Sequence, residues 1–557
     1  MERCALVIAG AAGEGIQTIG DIVARCFLRQ GYPVFATSEF ESRIRGGNSC
    51  VRLRVTDAPQ NAPISAADVL LAVNPQAHSH FRRHLRRGGV VIAEEPIAGD
   101  GARVVNVPFH DLAMEHGGAR IYANAVAAGA LCGIVGLPFA NLEAILRHTF
   151  AGRGAETIDA NTVSAKAGYS VALEQSADRP AVDLPARANR YAFASAHEVI
   201  PIAAAAAGCR FIAAYPMSPS TGIITAFARH PEWNVFAEQA EDEIAAINMA
   251  LGASAAGARA MTATSGGGFA LMAEGISLAG MIETPVVVVV AQRPGPATGL
   301  PTRTAQEDLL FVLRAGHGEF PRAVLAPSDP QSAIDATVRA FDLADRYQIP
   351  VILLTDQFLA DSRFSLDRLA LPETIPGVRF ADPDAINTYA RYRHTESGVS
   401  PRLYIGQSRH PVVLDSDEHT EEGHITEDLD AVRPKMVAKR LEKTRRLRRE
   451  MAQPFAQGIA DAELVLVGWG STRGAIDEAV ARLRDEGRRV GSLHFTELWP
   501  LPEFELPPGP RYVTVEGNAT GQLAQLLAAA RGHVLDGTIS RVDGLPVDAH
   551  TILKELE

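Results

Sequence analysis

Five consecutive valines, Val286 to Val290, constrain this chain more than any other feature. A strand that is apolar at every position has no face to give to water. It belongs inside a parallel sheet covered on both sides by helices. The run follows Pro285 and stops at Gln292 and Arg293. That is far short of the ~20 apolar residues needed to cross a bilayer, and no other stretch is long and clean enough to do so.

The rest of the chain repeats the alternation that such a strand requires. Its 557 residues leave room for about three to four domains. Around the valines, CRFIAAYP, NVFAEQA, ARAMTATS, TPVVVVVAQ, RAVLAPS and PVILLTD are six strand candidates separated by small-residue helices. Upstream, CALVIAG, YPVFATS, DVLLAVN and GVVIAEE alternate with helical segments, the last being NAVAAGALCGIVG. Near the end, AELVLVGWG, RRVGSLHF and PRYVTVEGN do the same. Strands alternating with helices predict three doubly wound α/β domains, at residues 1–175, 191–384 and 456–557. A linker, EQSADRPAVDLPARANR, has no apolar period and separates the first two. Residues 385–455 read as an irregular charged connector. It holds an acidic run, DSDEHTEEGHITEDLD, and a basic helix, VRPKMVAKRLEKTRRLRRE. Two solvated faces that partly neutralise each other are expected there, because Met436, Val437, Leu441 and Leu447 are too few for a core helix. A docking helix for another domain or subunit is the sharper alternative.

Charge and cysteines exclude several functions. A formal net charge of −12 argues against nucleic-acid binding. Cys4, Cys26, Cys50, Cys132 and Cys209 are scattered and form no CxxC pair. Reduced, buried thiols are expected, and an iron–sulfur cluster of the usual local spacing is not. The N-terminus has a short apolar part that runs into a glycine loop, unlike a signal peptide, so a cytoplasmic location is expected.

Three glycine-rich segments compete for an anion. Gly10, Gly13 and Gly15 follow a strand and precede a helix, where backbone N–H groups can approach a phosphate. Their order is the reverse of the dinucleotide fingerprint, although Glu39 lies about where a ribose-binding acid would. A tight turn, an anion contact or a partner contact all remain open. Arg43 and Arg45 precede Gly46 and Gly47 and could grip a phosphate or carboxylate, or simply decorate a loop. Gly99-Asp100-Gly101, with Asn124 further on, has the letters of a Mg²⁺–diphosphate motif. The segment after it, ARVVNVPF, reads as a strand rather than a helix, so a loop is expected and no metal ligand is assigned to this chain.

The central region carries the chemistry. A strand ends near Ala237, and a small-residue helix carries Glu243 nine positions before Gly252. The next strand ends in Thr264-Ser265-Gly266-Gly267-Gly268. This arrangement resembles the pyrimidine-binding domain of thiamine-diphosphate enzymes. Upstream, Tyr215-Pro216-Met217-Ser218-Pro219-Ser220 is similar to the YPITPSS motif of 2-oxoacid:ferredoxin oxidoreductases, with the hydroxyl kept at Ser218. Arg293 ends the valine strand, as an arginine does in that family, and TGLPTRT, containing Arg303, resembles its TGxPT loop. The N-terminal region with RIRGGNS looks like the family's γ subunit, with AGAAGEG in place of GxGGQG. VEGNATGQL resembles the transketolase C-terminal-like domain of its α subunit. A γ–α fusion results.

The resemblance implies a role for each of these residues. Glu243 would hydrogen-bond the aminopyrimidine and favour its imino form, acting as an acid tuned by an apolar site. Tyr215, Pro216, Ser265, Gly266 and Gly267 would line the cofactor. Ser218 and Arg293 would bind the substrate carboxylate, and Arg303 a second acidic group. Arg43 and Arg45 are candidates for coenzyme A or a partner. Mg²⁺ and a [4Fe–4S] cluster would sit on a β subunit, giving an (αβ)₂ enzyme. That enzyme would oxidatively decarboxylate a 2-oxoacid, 2-oxoglutarate first, with coenzyme A and ferredoxin. Pyruvate or a branched 2-oxoacid stays open as substrate. So do a nucleotide-dependent dehydrogenase using the N-terminal loop and a non-catalytic regulatory subunit.

Overall fold

The computed structural model describes residues 2–42, 46–97, 101–175 and 182–557. Arg43 and Arg45 lie outside the described residues, as do Gly99 and Asp100. The chain forms two compact units, Met1–Ala194 with Ser362–Leu369, and Ser195–Asp361 with Ala370–Glu557.

The first unit is built on a six-stranded sheet. Glu2–Ala12, Ala67–Ala72, Leu85–Ala93 and Arg103–Asn106 run parallel in that order. On the other side of Glu2–Ala12 the sheet turns antiparallel, through Gly46–Thr56 and then Val34–Glu39. An antiparallel strand thus fills the position where a dinucleotide-binding unit pairs its second parallel strand. Glu39 is engaged as well, since its carboxylate accepts Arg52 Nε at 2.6 Å. The dehydrogenase alternative loses both of its supports. The glycine loop closes on itself: Glu14 Oε2 accepts from Ala11 N at 2.7 Å and Asn74 Nδ2 at 2.6 Å, and a Cβ on Gly10 would stand 2.8 Å from it. The helices Ala123–Val135 and Ala155–Gln175 need their small residues, because a Cβ on Gly129 or Gly168 would overlap the facing backbone carbonyl. Phe364–Leu366 returns to this unit and pairs antiparallel with Ala192–Ala194. The stretch 191–384 is therefore interrupted in space.

The second unit contains the other two large sheets. The seven-stranded one has the order Glu497–Trp499, Ala323–Leu325, Pro350–Asp356, Val286–Gln292, Arg259–Thr264, Cys209–Ala214, Phe236–Gln239. All pairings are parallel except that of Glu497–Trp499. The valine strand is central and buried at every residue. The five-stranded sheet runs Phe455–Gln457, Val490–Phe495, Leu464–Trp469, Arg511–Glu516, Gly537–Ser540. One core joins the two sheets: Val288 and Ile352 belong to the same buried cluster as Val467, Trp469, Phe495 and Leu523. Fold class matches the expectation of repeated α/β layers, with an antiparallel edge in each of the three large sheets. Among the described residues no single helix is long and apolar enough to cross a membrane.

The basic helix departs from the solvated reading. Val432–Glu450 buries Met436, Lys439, Arg440, Lys443 and Leu447, one continuous face at helical spacing. Lys439 Nζ donates to both carboxylate oxygens of buried Glu283, at 2.6 and 2.8 Å, and Lys443 pairs with the same group. Arg391 Nη2 donates to the Glu283 carbonyl at 2.6 Å. Burial by itself would raise the Glu283 pKa. Lys443, Lys439 and Arg391 outweigh it and hold the carboxyl well below the usual range. Part of the acidic run does neutralise this helix, as Glu418 accepts from Arg440 at 3.1 Å. The counter-charge of the two buried lysines comes from Glu283, 156 residues before Lys439, which no local pattern reveals.

Candidate active site

The site lies at the C-terminal ends of three adjacent parallel strands, where a doubly wound sheet presents ligand-binding loops. Cys209–Ala214 leads into Tyr215–Ser220, Arg259–Thr264 into the glycine turn, and Val286–Gln292 into Arg293.

Glu243 is the first residue of the helix Glu243–Ala255, which Asp242 caps by accepting Ala245 N at 2.7 Å. The residue is 3 % exposed, and its Oε1 is buried without a hydrogen-bond partner. Burial pushes the Glu243 pKa up, and neighbouring Asp242 adds to the shift. The opposing wall is the helix Gly266–Leu271, which starts after Ser265. A Cβ on Gly268 would overlap Glu243 Oε1 and Thr264 Oγ1 and stand 2.8 Å from Glu243 Cδ. Thr264 Oγ1 in turn points at Met217 Sδ, 3.9 Å away. Glu243, the glycine turn and the Tyr215–Ser220 loop thus meet, as the sequence predicts. Gly252 faces open space, so its spacing from Glu243 reflects no packing need in this chain.

Arg293 and Ser218 also come together. Arg293 Nη1 donates to the Ser218 carbonyl oxygen at 2.7 Å. The contact is to the backbone, which leaves the Ser218 hydroxyl outside that bond. Burial lowers the Arg293 pKa, while Asp308 and Glu243 oppose the shift. Tyr215 is 41 % exposed at its strand end. Arg303 is placed further along the same loop, with its Cβ and Cγ against Gly544.

Sequence reasoning missed Asp308. It precedes the apolar helix Leu309–Arg314, a position typical of helix caps, and that was the available signal. Gln292 Oε1 holds its backbone N at 2.9 Å. A Cβ on Gly266 would stand 2.6 Å from Asp308 Oδ1, and Oδ2 is buried without a partner. Burial, with Glu307 adding to it, raises Asp308 to about 6. The loop itself is anchored by the VEGN segment. Gln306 N donates to Gly517 O at 2.7 Å, Gly517 N to Gln306 Oε1 at 3.0 Å, and Asn518 Nδ2 to Gln306 O at 3.0 Å.

These features fit an aminopyrimidine cofactor. Glu243 Oε1, Ser265 Oγ and Asp308 Oδ2 are all buried and unpartnered around one glycine turn. Buried polar atoms are rarely left unbonded without a functional reason. Gly267 leaves its side of the turn clear, since a Cβ there would meet only Ala297 O at 3.7 Å.

Comparison with known proteins agrees with this geometry. Residues 202–439 match the family described as pyruvate flavodoxin/ferredoxin oxidoreductase, thiamine diP-bdg. Residues 5–171 match pyruvate ferredoxin/flavodoxin oxidoreductase. The α subunit of 2-oxoacid:ferredoxin oxidoreductase 2 from Aeropyrum pernix is 32 % identical, covering 98 % of this chain and 96 % of its own. The 2-oxoglutarate oxidoreductase subunit KorA of Mycobacterium tuberculosis is 30 % identical, covering 95 % of this chain and 87 % of its own. The structure of the 2-oxoglutarate:ferredoxin oxidoreductase from Magnetococcus marinus superposes with a TM-score of 0.91 at 30 % identity, covering 99 % of this chain and 98 % of that one. Burial, clearance and relatedness point the same way: this chain belongs to the 2-oxoacid:ferredoxin oxidoreductase family, as the α-type subunit of a thiamine-diphosphate-dependent enzyme.

Proposed function

We propose that this chain forms part of a 2-oxoglutarate:ferredoxin oxidoreductase, which converts 2-oxoglutarate and coenzyme A reversibly to succinyl-CoA and CO₂ and passes the electrons to ferredoxin. The observation that carries the reading is the Glu243 carboxyl, buried against Gly268 with one oxygen unbonded. The choice of 2-oxoacid draws support from relatives: the Mycobacterium protein is named for 2-oxoglutarate, and the Magnetococcus structure has 2-oxoglutarate, coenzyme A and succinyl-CoA bound.

When bound, thiamine diphosphate supplies the electron sink for cleaving the bond between the carbonyl carbon and the carboxylate. The residues of this chain hold and position. Glu243 offers Oε1 to a ring nitrogen, and its burial shifts the carboxyl toward the protonated form. Gly267 leaves its side of the turn open, and Tyr215, Pro216, Ser265 and Gly266 are the other candidates to line the cofactor. Arg293, fixed by the Ser218 carbonyl, carries the charge that a 2-oxoacid carboxylate needs. Arg303 is the candidate for the distal carboxylate. A β subunit would bring the Mg²⁺–diphosphate site and the [4Fe–4S] cluster, in an (αβ)₂ assembly. The five cysteines of this chain are all buried, which suits that division.

The test is a substrate panel on the complex reconstituted with its partner chain. Coenzyme A-dependent ferredoxin reduction is expected to have its highest kcat/KM with 2-oxoglutarate. Preference for pyruvate or a branched 2-oxoacid would overturn the substrate, and no reduction with any of them would overturn the activity.

A further inference from the structure

A cleft of about 630 Å³ opens at the opposite end of the strands from the candidate active site. It lies where the helix Pro330–Tyr347 ends, just before the strand Pro350–Asp356 begins. Seven strand residues at about 3.3 Å each put ~20 Å between this end and the site loops. Five arginines line the cleft: Arg346, Arg379, Arg402, Arg446 and Arg449.

The acids nearby are shared among these cations. Asp342 lies between Arg346 and Arg379, at 2.8 and 3.2 Å. Asp345 lies between Arg259 and Arg402, at 2.7 and 2.9 Å. Glu450 pairs with Arg346 at 2.6 Å, although Arg346 already has Asp342. Among the described residues, Arg449 makes no hydrogen bond or ion pair. Arginines in the last turn of a helix offset its dipole, which accounts for Arg346, Arg446 and Arg449. Arg379 and Arg402 come instead from the irregular stretch before Val432–Glu450. Arg402 is only 7 % exposed, yet its Nε is buried without a hydrogen-bond partner. The cleft walls are fixed to one another. Gln348 Nε2 donates to the Ser400 carbonyl at 2.6 Å, and Ala381 N to the Arg402 carbonyl at 2.9 Å.

We propose that this cleft binds a phosphate-bearing small molecule, at a site separate from the active site. Guanidinium forks match phosphate oxygens, and they are here fixed and in excess over their carboxylates. Clustered cations in a concavity raise the local concentration of anions. The volume is that of a small-molecule pocket. Burial lowers the Arg402 pKa to about 10 against the pull of Asp345, and an added anion would favour its charged form.

The test is isothermal titration calorimetry on the reconstituted complex, saturated with thiamine diphosphate and Mg²⁺. The probes are inorganic pyrophosphate and ADP. Wild type is expected to bind at least one of them with a Kd below about 1 mM. Tighter binding of ADP identifies a nucleotide as the ligand, and tighter binding of pyrophosphate a bare polyphosphate. Arg379 and Arg449 are exposed, so the double variant Arg379→Ala, Arg449→Ala should assemble as wild type. Its affinity should fall about tenfold or more. Arg402→Met probes the buried cation, and the double variant decides the matter if Arg402→Met does not assemble. The KM for coenzyme A should be the same in the double variant and in wild type. Absence of saturable binding by wild type below about 1 mM, or wild-type affinity in the double variant, overturns the proposal. So does a raised KM for coenzyme A, which would make the cleft part of the co-substrate site.

Discussion

Gly268 and Glu243 occupy one another's space: the hydrogen on Gly268 is the largest substituent that leaves room for the Glu243 carboxyl, whose Cδ would stand 2.8 Å from a Cβ there. The glycine run is therefore not uniform in meaning. Gly268 makes room for an acid, Gly266 makes room for Asp308, and Gly267 faces the open side of the turn.

Gly268→Ala and Gly267→Ala are expected to differ sharply. The first forces Glu243 or the turn to move and should cost about 1–3 kcal/mol of stability, as overpacking does, with at least a tenfold loss of turnover. The second meets only Ala297 O at 3.7 Å and should fold as wild type. Thermal melting of both variants checks the contrast, and equal melting temperatures would remove the argument.

Glu243→Gln keeps the shape and removes the ionisable acid. Turnover of the reconstituted complex should fall roughly 10²–10⁴-fold, the range typical of a general acid–base group. Assembly with the partner, followed by size-exclusion chromatography, should survive. Near-normal turnover would falsify the assignment of Glu243.

Arg293→Lys keeps the charge and loses the fork that a planar carboxylate matches. The KM for the 2-oxoacid should rise about tenfold or more, with kcat less affected. An unchanged KM would mean that the guanidinium does not touch the substrate.

The Glu283 cluster should dominate the stability of the second unit. Glu283→Ala strands Lys439 and Lys443 in the core and should cost about 3–5 kcal/mol. Burial lowers Lys443 to about 7, with Glu283 partly offsetting it. A lowered folded pKa means that the unfolded chain binds more protons between about 7 and 10.5, so this group adds stability as pH rises through that window. It loses that contribution as pH falls through about 7. Melting temperatures across this range should show a rising component in wild type that is missing from Lys443→Met.

The candidate site was legible where its residues are local in sequence. Tyr215 to Ser220, Glu243, Ser265 to Gly268 and Arg293 each follow a strand end, and parallel strands bring their C-terminal ends together, so spacing along the chain translated into proximity. The valine run read correctly for a related reason: a strand buried on both faces carries its environment in its own composition. Tertiary structure decided what no local pattern encodes. It placed Asp308 against Gly266 through Gln292, anchored the loop before it to Gly517 and Asn518 through Gln306, and turned the basic helix inward onto Glu283. It also sent Phe364–Leu366 back to the first unit and joined the last two sheets through one core. Each of these outcomes depends on a partner dozens to hundreds of residues away. Burial of a charge or a strand edge is favourable only once that partner is present.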